Sequence, residues 1–448
     1  MSVRNEWIER YACAGDLQAI RERSRRNAIP LQGLESMSIG IACDAILAEL
    51  REIFVPTASC CRIISEVLQS ALSHAESHYP DRKSFLANAY KADLVFDPQV
   101  PIFLTGLAGT GKTQLAKAIL RLLGPDRDIH VGHGHGNFPL VAASRIAVEG
   151  RLTLASVLRR LTDPSFSGEH GALCGRGLDQ NSTKWQYIIG ACLIILDELQ
   201  FLTQSDKANT VIAKTILRMT FVGPPLLVIG NFSLGHRLLT RRHEERQRLL
   251  ARPCVLLPDP PASPDWEEVL SEFQKALPDV FAFSFVLRRQ QLWTYCAGLK
   301  RVLVHLLVLA YRRTRVSGRH VVNWLDIESA YCSSTFSVMR RDVESMIGQA
   351  IDGTKLSKDL QCPFDIPKAE LESYPESLRE CRGRALSEAV GRSVLNANET
   401  RNLHALREHL DEGRPSPVVN SKNQGAGRSA RITADDLINN GRKYRGSK

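Results

Sequence analysis

The chain has 448 residues, 44% apolar and 24% charged, which suits a globular protein with a sizeable core and excludes one that is mostly disordered. Lys and Arg outnumber Asp and Glu by 58 to 48, and a net charge of +10 is a modest signal for a polyanionic partner over this length. The longest apolar stretch, Val302 to Tyr311, is too short to cross a bilayer, and MSVRNEWIER has no apolar signal-peptide core, so a cytoplasmic protein without a membrane partner is expected.

Residues 1–97 are polar and poor in aromatics, with an arginine cluster at Arg21, Arg23, Arg25 and Arg26. Apolar residues in Ala45–Leu50 and Ile63–Leu72 recur at helical spacing, so this region is expected to be helical and to serve as a partner contact. From 98 to 262, short apolar runs alternate with helical segments, the pattern of a parallel α/β sheet. After the Pro-rich break Leu256 to Trp266, residues 263–352 read as an all-helical lid. Residues 353–448 form a polar extension that ends in a basic, flexible tail. The eleven cysteines include no CxxC pair, so they read as reduced thiols rather than as a disulfide frame or a zinc site.

Within the α/β region, Gly106-Leu107-Ala108-Gly109-Thr110-Gly111-Lys112-Thr113 fits G-x-x-x-x-G-K-[ST]. Glycines let the backbone curl so that its amides face phosphate oxygens, and the helix that follows adds its N-terminal dipole. Lys112 suits the β- and γ-phosphates and Thr113 suits Mg²⁺; with Gln114 these residues make up the candidate ATP-binding set. The next apolar run, Ala191 to Leu196, ends in Asp197 and Glu198, which places two carboxylates at the carboxyl edge of a sheet, where ligands bind in such folds. Asp197 is the candidate metal residue beside Thr113, and Glu198 the candidate for polarising water. Pro225 to Gly230 is a further buried run, and Asn231 after it is placed to sense the γ-phosphate. Thr240 to Arg252 carries five arginines, of which Arg246, then Arg248 and Arg242, are candidates for an arginine finger reaching a neighbouring subunit.

This order of motifs followed by a helical region resembles the AAA+ ATPases. The segments LIILDELQFL, IGNFSL and RRHEERQRLLARPCVLLPDPP resemble, more narrowly, the bacterial transposition-regulator ATPases of the TnsC type, over about residues 95 to 345. The resemblance implies a P-loop AAA+ three-layer core followed by a helical lid. It also implies ATP- and Mg²⁺-dependent assembly on double-stranded DNA as a ring or filament, with transposase subunits and a target-selection protein as partners. Hydrolysis then resets the assembly. Thr294 and Gly298 correspond to the pair before the family's lid helix, and Lys300 or Arg301 to its second sensor. The alternatives are a replication initiator or helicase loader, and a signalling ATPase acting through protein contacts without DNA.

Other constellations carry less. His130, His133 and His135 lack a further acidic or thiol ligand and read as a surface loop rather than a metal site. Candidate DNA-facing cations are Arg145, Arg151, Arg159, Arg160 and Lys184, with a second cluster at Arg312, Arg313, Arg315 and Arg319. From Gly413 onward eight basic residues face two acids, which reads either as a solubilising tail or as an arm that docks transposase or touches DNA.

Overall fold

The computed structural model describes residues 5–91, 93–132, 134–147, 153–162, 175–199, 206–352 and 357–365, all within one unit spanning Met1–Val394. The basic tail, His133 and Arg151 lie outside the described residues. Five helices come first: α1 (Glu6–Glu9), α2 (Leu17–Ser24), α3 (Ile39–Glu52), α4 (Ala58–His78) and α5 (Arg82–Ala89). Asn5, Asp16, Thr57 and Asp81 cap α1, α2, α4 and α5, their side chains accepting from amides that have no acceptor within the helix.

Strands and helices then alternate. They are β1 (Ile102–Gly106), α6 (Lys112–Leu123), β2 (Arg127–Gly132), β3 (Gly136–Leu140), β4 (Ser144–Ala147), α7 (Leu154–Arg160) and α8 (Gly175–Ile188). After these come β5 (Ile194–Asp197), α9 (Asp206–Met219), β6 (Leu226–Asn231), α10 (Phe232–Leu239), α11 (His243–Leu249) and β7 (Arg252–Leu256). Five strands form one sheet in the order β4-β5-β6-β1-β7, every neighbouring pair parallel.

Side-chain alternation assigns the two faces. Leu104, Ile195, Leu227 and Ile229 face a cluster with α4 and α6, whereas Phe103, Leu196, Leu226 and Val228 face α7, α9 and α10. Strands buried on both faces have no polar side, which is why they read as unbroken apolar runs. Five helices follow: α12 (Pro264–Ala276), α13 (Arg289–Cys296), α14 (Lys300–Val316), α15 (Trp324–Cys332) and α16 (Ser337–Asp352). A three-layer parallel sheet, with the glycine-loop strand between β6 and β7 and a helical lid after it, is the AAA+ arrangement expected. Among the described residues no single helix is long and apolar enough to cross a membrane; α13 and α14 meet at 104° and bury their apolar residues in the lid.

The N-terminal helices divide between two cores. Residues of α1, α2, α4 and α5 pack with the sheet, while α3 lies against α14 in the lid cluster. The arginine cluster is spent inside the protein: Arg21 pairs with Asp265 at 3.1 Å and Glu268 at 2.8 Å, and Arg25 with Glu268 and with Glu272 at 3.0 Å. Arg23 donates to the Leu122 carbonyl, and Arg121 of α6 donates to Ser24 O at 2.8 Å. Helix α2 thus ties α6 to α12. The composition boundary near residue 97 is not a packing boundary.

Residues 357–365 return from the lid to the core. Pro363 lies over Gly235 of α10, Phe364 packs edge-on against Phe103 of β1, and His236 Nε2 lies 2.9 Å from the Gln361 carbonyl. The histidine-rich stretch, expected as a loop, is instead the antiparallel hairpin β2–β3. Ile129 and Val131 alternate with exposed residues and bury against the sheet cluster, and that period of two overrides the glycine content. His130 lies 3.3 Å from Asn137 and His135 lies 3.1 Å from the Tyr90 hydroxyl. No group of metal-ligating residues occurs among the described residues. The described cysteines are free, and most are buried.

Candidate functional site

The glycine loop leaves β1 at its carboxyl end and enters α6. At Gly106 a Cβ would stand 2.4 Å from the Leu256 carbonyl of β7, so only glycine lets the loop turn there. Gly109 has φ +96°, and its Cβ would stand 2.8 Å from the Cβ of Arg301. Gly111 caps α6 without a side chain, which leaves the first amides of the helix aimed into the loop with no intrahelical acceptor. Thr110 closes the turn through Oγ1 to Leu107 O at 3.0 Å, Leu107 inserts into the lid cluster, and Ala108 is exposed.

Lys112 lies in the hollow so formed. Its Nζ donates to Gly106 O at 2.9 Å and Leu107 O at 2.7 Å. Burial, then the nearby Arg301 guanidinium, lowers its pKa to about 8, while Glu198 and Asp197 act in the opposite sense. A buried ammonium that donates to two carbonyls inside a glycine loop fits a phosphate chain, which would supply negative charge. Thr113 is half-buried on the first turn of α6. Gln114, included in the candidate cofactor set, is turned away: its Nε2 donates to the Arg51 carbonyl at 2.7 Å, joining α6 to α3.

Sheet register brings the remaining candidates to the same edge. Gly106 pairs with Asn231 across β1 and β6, and Leu196 pairs with Val228 across β5 and β6. Asp197 is 1% exposed; its Oδ1 accepts the Glu198 amide at 3.0 Å and its Oδ2 accepts Arg145 Nη2 at 2.8 Å. Glu198 sits at φ +64°, a left-handed conformation that costs a glutamate about 1 kcal/mol or more and turns the chain sharply out of β5. Asn231 precedes α10 at the N-cap position, and its side chain makes no capping bond. These three residues, at the ends of two strands, are 85 or more residues from Lys112 in sequence, and the parallel sheet collects them.

The lid completes the site and decides between two residues that the sequence leaves level. Lys300 Nζ pairs with Asp259 at 3.3 Å, away from the loop, whereas the Arg301 amide donates to Gly109 O at 3.4 Å. Arg301 is exposed and its charge is felt by Lys112, so of the two it is the cation that lies by the glycine loop. On α11, Arg241 pairs with Glu245 and Arg248 lies over the Phe221 ring at 5.7 Å. Among the described residues, Arg242 and Arg246 make no side-chain hydrogen bond or ion pair.

Several candidate DNA cations are used internally. Arg145 faces Asp197, and Arg160 donates to the Ala147 carbonyl at 2.8 Å. Arg315 donates to the carbonyls of Leu34, Glu35 and Met37, and Arg319 is bidentate to Asp326. Arg159 and Arg312 remain exposed. Lone arginine letters carry no sign of which side chains an acid or carbonyl already holds.

No family profile matches the sequence, and no curated protein does. Among solved structures, the chain is similar to the Aeropyrum pernix ORC1 protein in complex with DNA, at 20% identity over 70% of this chain and 72% of that one, with a TM-score of 0.43. It is also similar to Drosophila ORC bound to DNA, at 14% identity over 88% and 90% with a TM-score of 0.38. The Thermotoga maritima RuvB Holliday junction branch migration motor aligns at 13% identity over 60% and 67% with a TM-score of 0.32. All three scores fall below 0.5, and the fold is assigned from the chain's own strand order and loop geometry.

Proposed function

We propose that the protein is a Mg²⁺-dependent ATPase that oligomerises on double-stranded DNA and couples target-site selection to transposase recruitment, with hydrolysis resetting the assembly. The nucleotide part of this reading is carried by one observation: Lys112, Asp197, Glu198 and Asn231 meet at one sheet edge with Arg301 of the lid against the same loop. The DNA and transposition parts rest on the TnsC-type segments around Asp197, Asn231 and Arg246.

In this reading the amides of Gly109 to Thr113 and the Lys112 ammonium hold the β- and γ-phosphates. Thr113 and Asp197 hold Mg²⁺, which when bound neutralises charge on the phosphates. Glu198 orients and polarises the attacking water, and Asn231 senses the γ-phosphate from the neighbouring strand. Arg301 brings lid charge to the nucleotide, and Arg246 of one subunit supplies positive charge to the next.

Electrophoretic shift of duplex DNA with ATPγS, followed by electron microscopy, tests the assembly; no shift with or without nucleotide defeats the DNA part of the proposal. Lys112→Ala is expected to abolish nucleotide-dependent assembly. Glu198→Gln is expected to assemble but turn over at least about a hundredfold more slowly, the scale of losing a positioned general base. Normal hydrolysis by that variant removes Glu198 from the mechanism.

A further inference from the structure

Asp197 is buried with both carboxylate oxygens already taken, one by the Glu198 amide and one by Arg145. Arg145 is held there by the sheet. It lies on the edge strand β4, opposite Ile195 of β5, and two residues further along Ala147 stands opposite Asp197. Its side chain therefore runs along the sheet to the carboxyl edge, on the face away from Ile146, which is buried among Ile194 and Leu196. At 29% exposure the guanidinium keeps contact with water while its terminal nitrogen reaches the carboxylate. A buried acid with one strong cation partner is stable; the same acid without it carries an uncompensated charge.

The geometry points to Arg145 as a positioning residue that occupies Asp197 in competition with a divalent cation. This rests on the reading of Asp197 as a Mg²⁺ residue. A metal approaching that carboxylate meets a guanidinium at 2.8 Å from the same oxygen. It has to displace the arginine or share the oxygen with it, against like-charge repulsion. Arg145 therefore sets the Mg²⁺ concentration at which the site loads, and metal entry releases a cation at the open edge of the sheet.

The test is thermal unfolding of the full chain at saturating ATPγS, titrated with free Mg²⁺. Metal binding to free nucleotide is common to all variants, so differences in midpoint report the protein site. Arg145→Ala is expected to unfold at a lower temperature than wild type in EDTA, and to reach its stabilised form at about tenfold lower Mg²⁺, the scale of one charge-assisted hydrogen bond. Arg145→Lys keeps a positive charge at the carboxylate and is expected to stay within a few-fold of the wild-type midpoint. The Lys variant also retains a partner for Asp197, which guards against loss of folding. An alanine midpoint equal to wild type, or a lysine midpoint shifted as far as alanine, overturns the competition. If wild type itself shows no Mg²⁺-dependent stabilisation with nucleotide, the metal reading of Asp197 fails and this inference falls with it.

Discussion

Glu272 offers a direct measure of how the N-terminal segment is joined to the lid. It is 3% exposed on α12 and accepts from three groups: Arg25 Nη2 at 3.0 Å, Lys275 Nζ at 2.8 Å and the Ala28 amide at 3.0 Å. Lys275 is mostly solvent-exposed, so its share is small. Arg25 is about three-quarters buried and keeps Glu268 as a second partner, which limits its loss to about 1 kcal/mol. The Ala28 amide would be left without an acceptor at about 1–3 kcal/mol. Glu272→Ala is therefore expected to lose about 2–4 kcal/mol. Glu272→Gln, which can still accept from Ala28, should lose only about 1 kcal/mol. Urea unfolding of both variants beside Arg25→Ala, and of the Arg25→Ala/Glu272→Ala double variant, gives the coupling energy. A loss below about 0.5 kcal/mol for Glu272→Ala would show that its contacts with Arg25 and Ala28 do not help to fasten this segment to α12, and the argument would be wrong.

Two further predictions use other parts of the molecule. Burial lowers the pKa of His74 to about 3, with His78 adding to the effect, so the unfolded chain binds a proton there that the folded chain does not. Stability should consequently fall as pH drops from about 6.5 towards 3, at up to about 1.4 kcal/mol per pH unit from this group, and His74→Phe should remove that part of the slope in unfolding measured at pH 7 and pH 5. Gly235→Ala places a Cβ 2.7 Å from Pro363 Cγ, and a proline ring cannot swing aside, so the returning segment should lift from α10. Trypsin should then cut after Lys358 faster than in wild type while the rest of the fold resists; an unchanged rate would mean that Pro363 is not seated on Gly235.

The candidate site is legible wherever chemistry dictates residue type at fixed spacing. A phosphate-cradling loop needs glycine at Gly106 and Gly109 and a cation at Lys112, and a fully buried strand that ends in Asp197 and Glu198 can be read from its apolar run. The stretch around His130 and His135 reads as a surface loop when its histidines are weighed as metal ligands, while the inward alternation of Ile129 and Val131 makes it a hairpin. Gln114 stands next to the motif in sequence, yet half a helical turn carries its side chain to α3.

Charge is where letters and structure part most clearly. A row of arginines at 21 to 26 looks like a surface patch, and Arg145 like one more solvated cation, because sequence shows the cation without its distant acid. Partners for Arg21 and Arg25 lie more than 240 residues away, and that for Arg145 is 52 away. Local rules acting within a turn or a strand specified the helix caps, the apolar runs and the loop. Only folding set the register that aligns Asn231 with Gly106, selected Arg301 over Lys300, and placed a guanidinium on Asp197, because each depends on which strands and helices become neighbours.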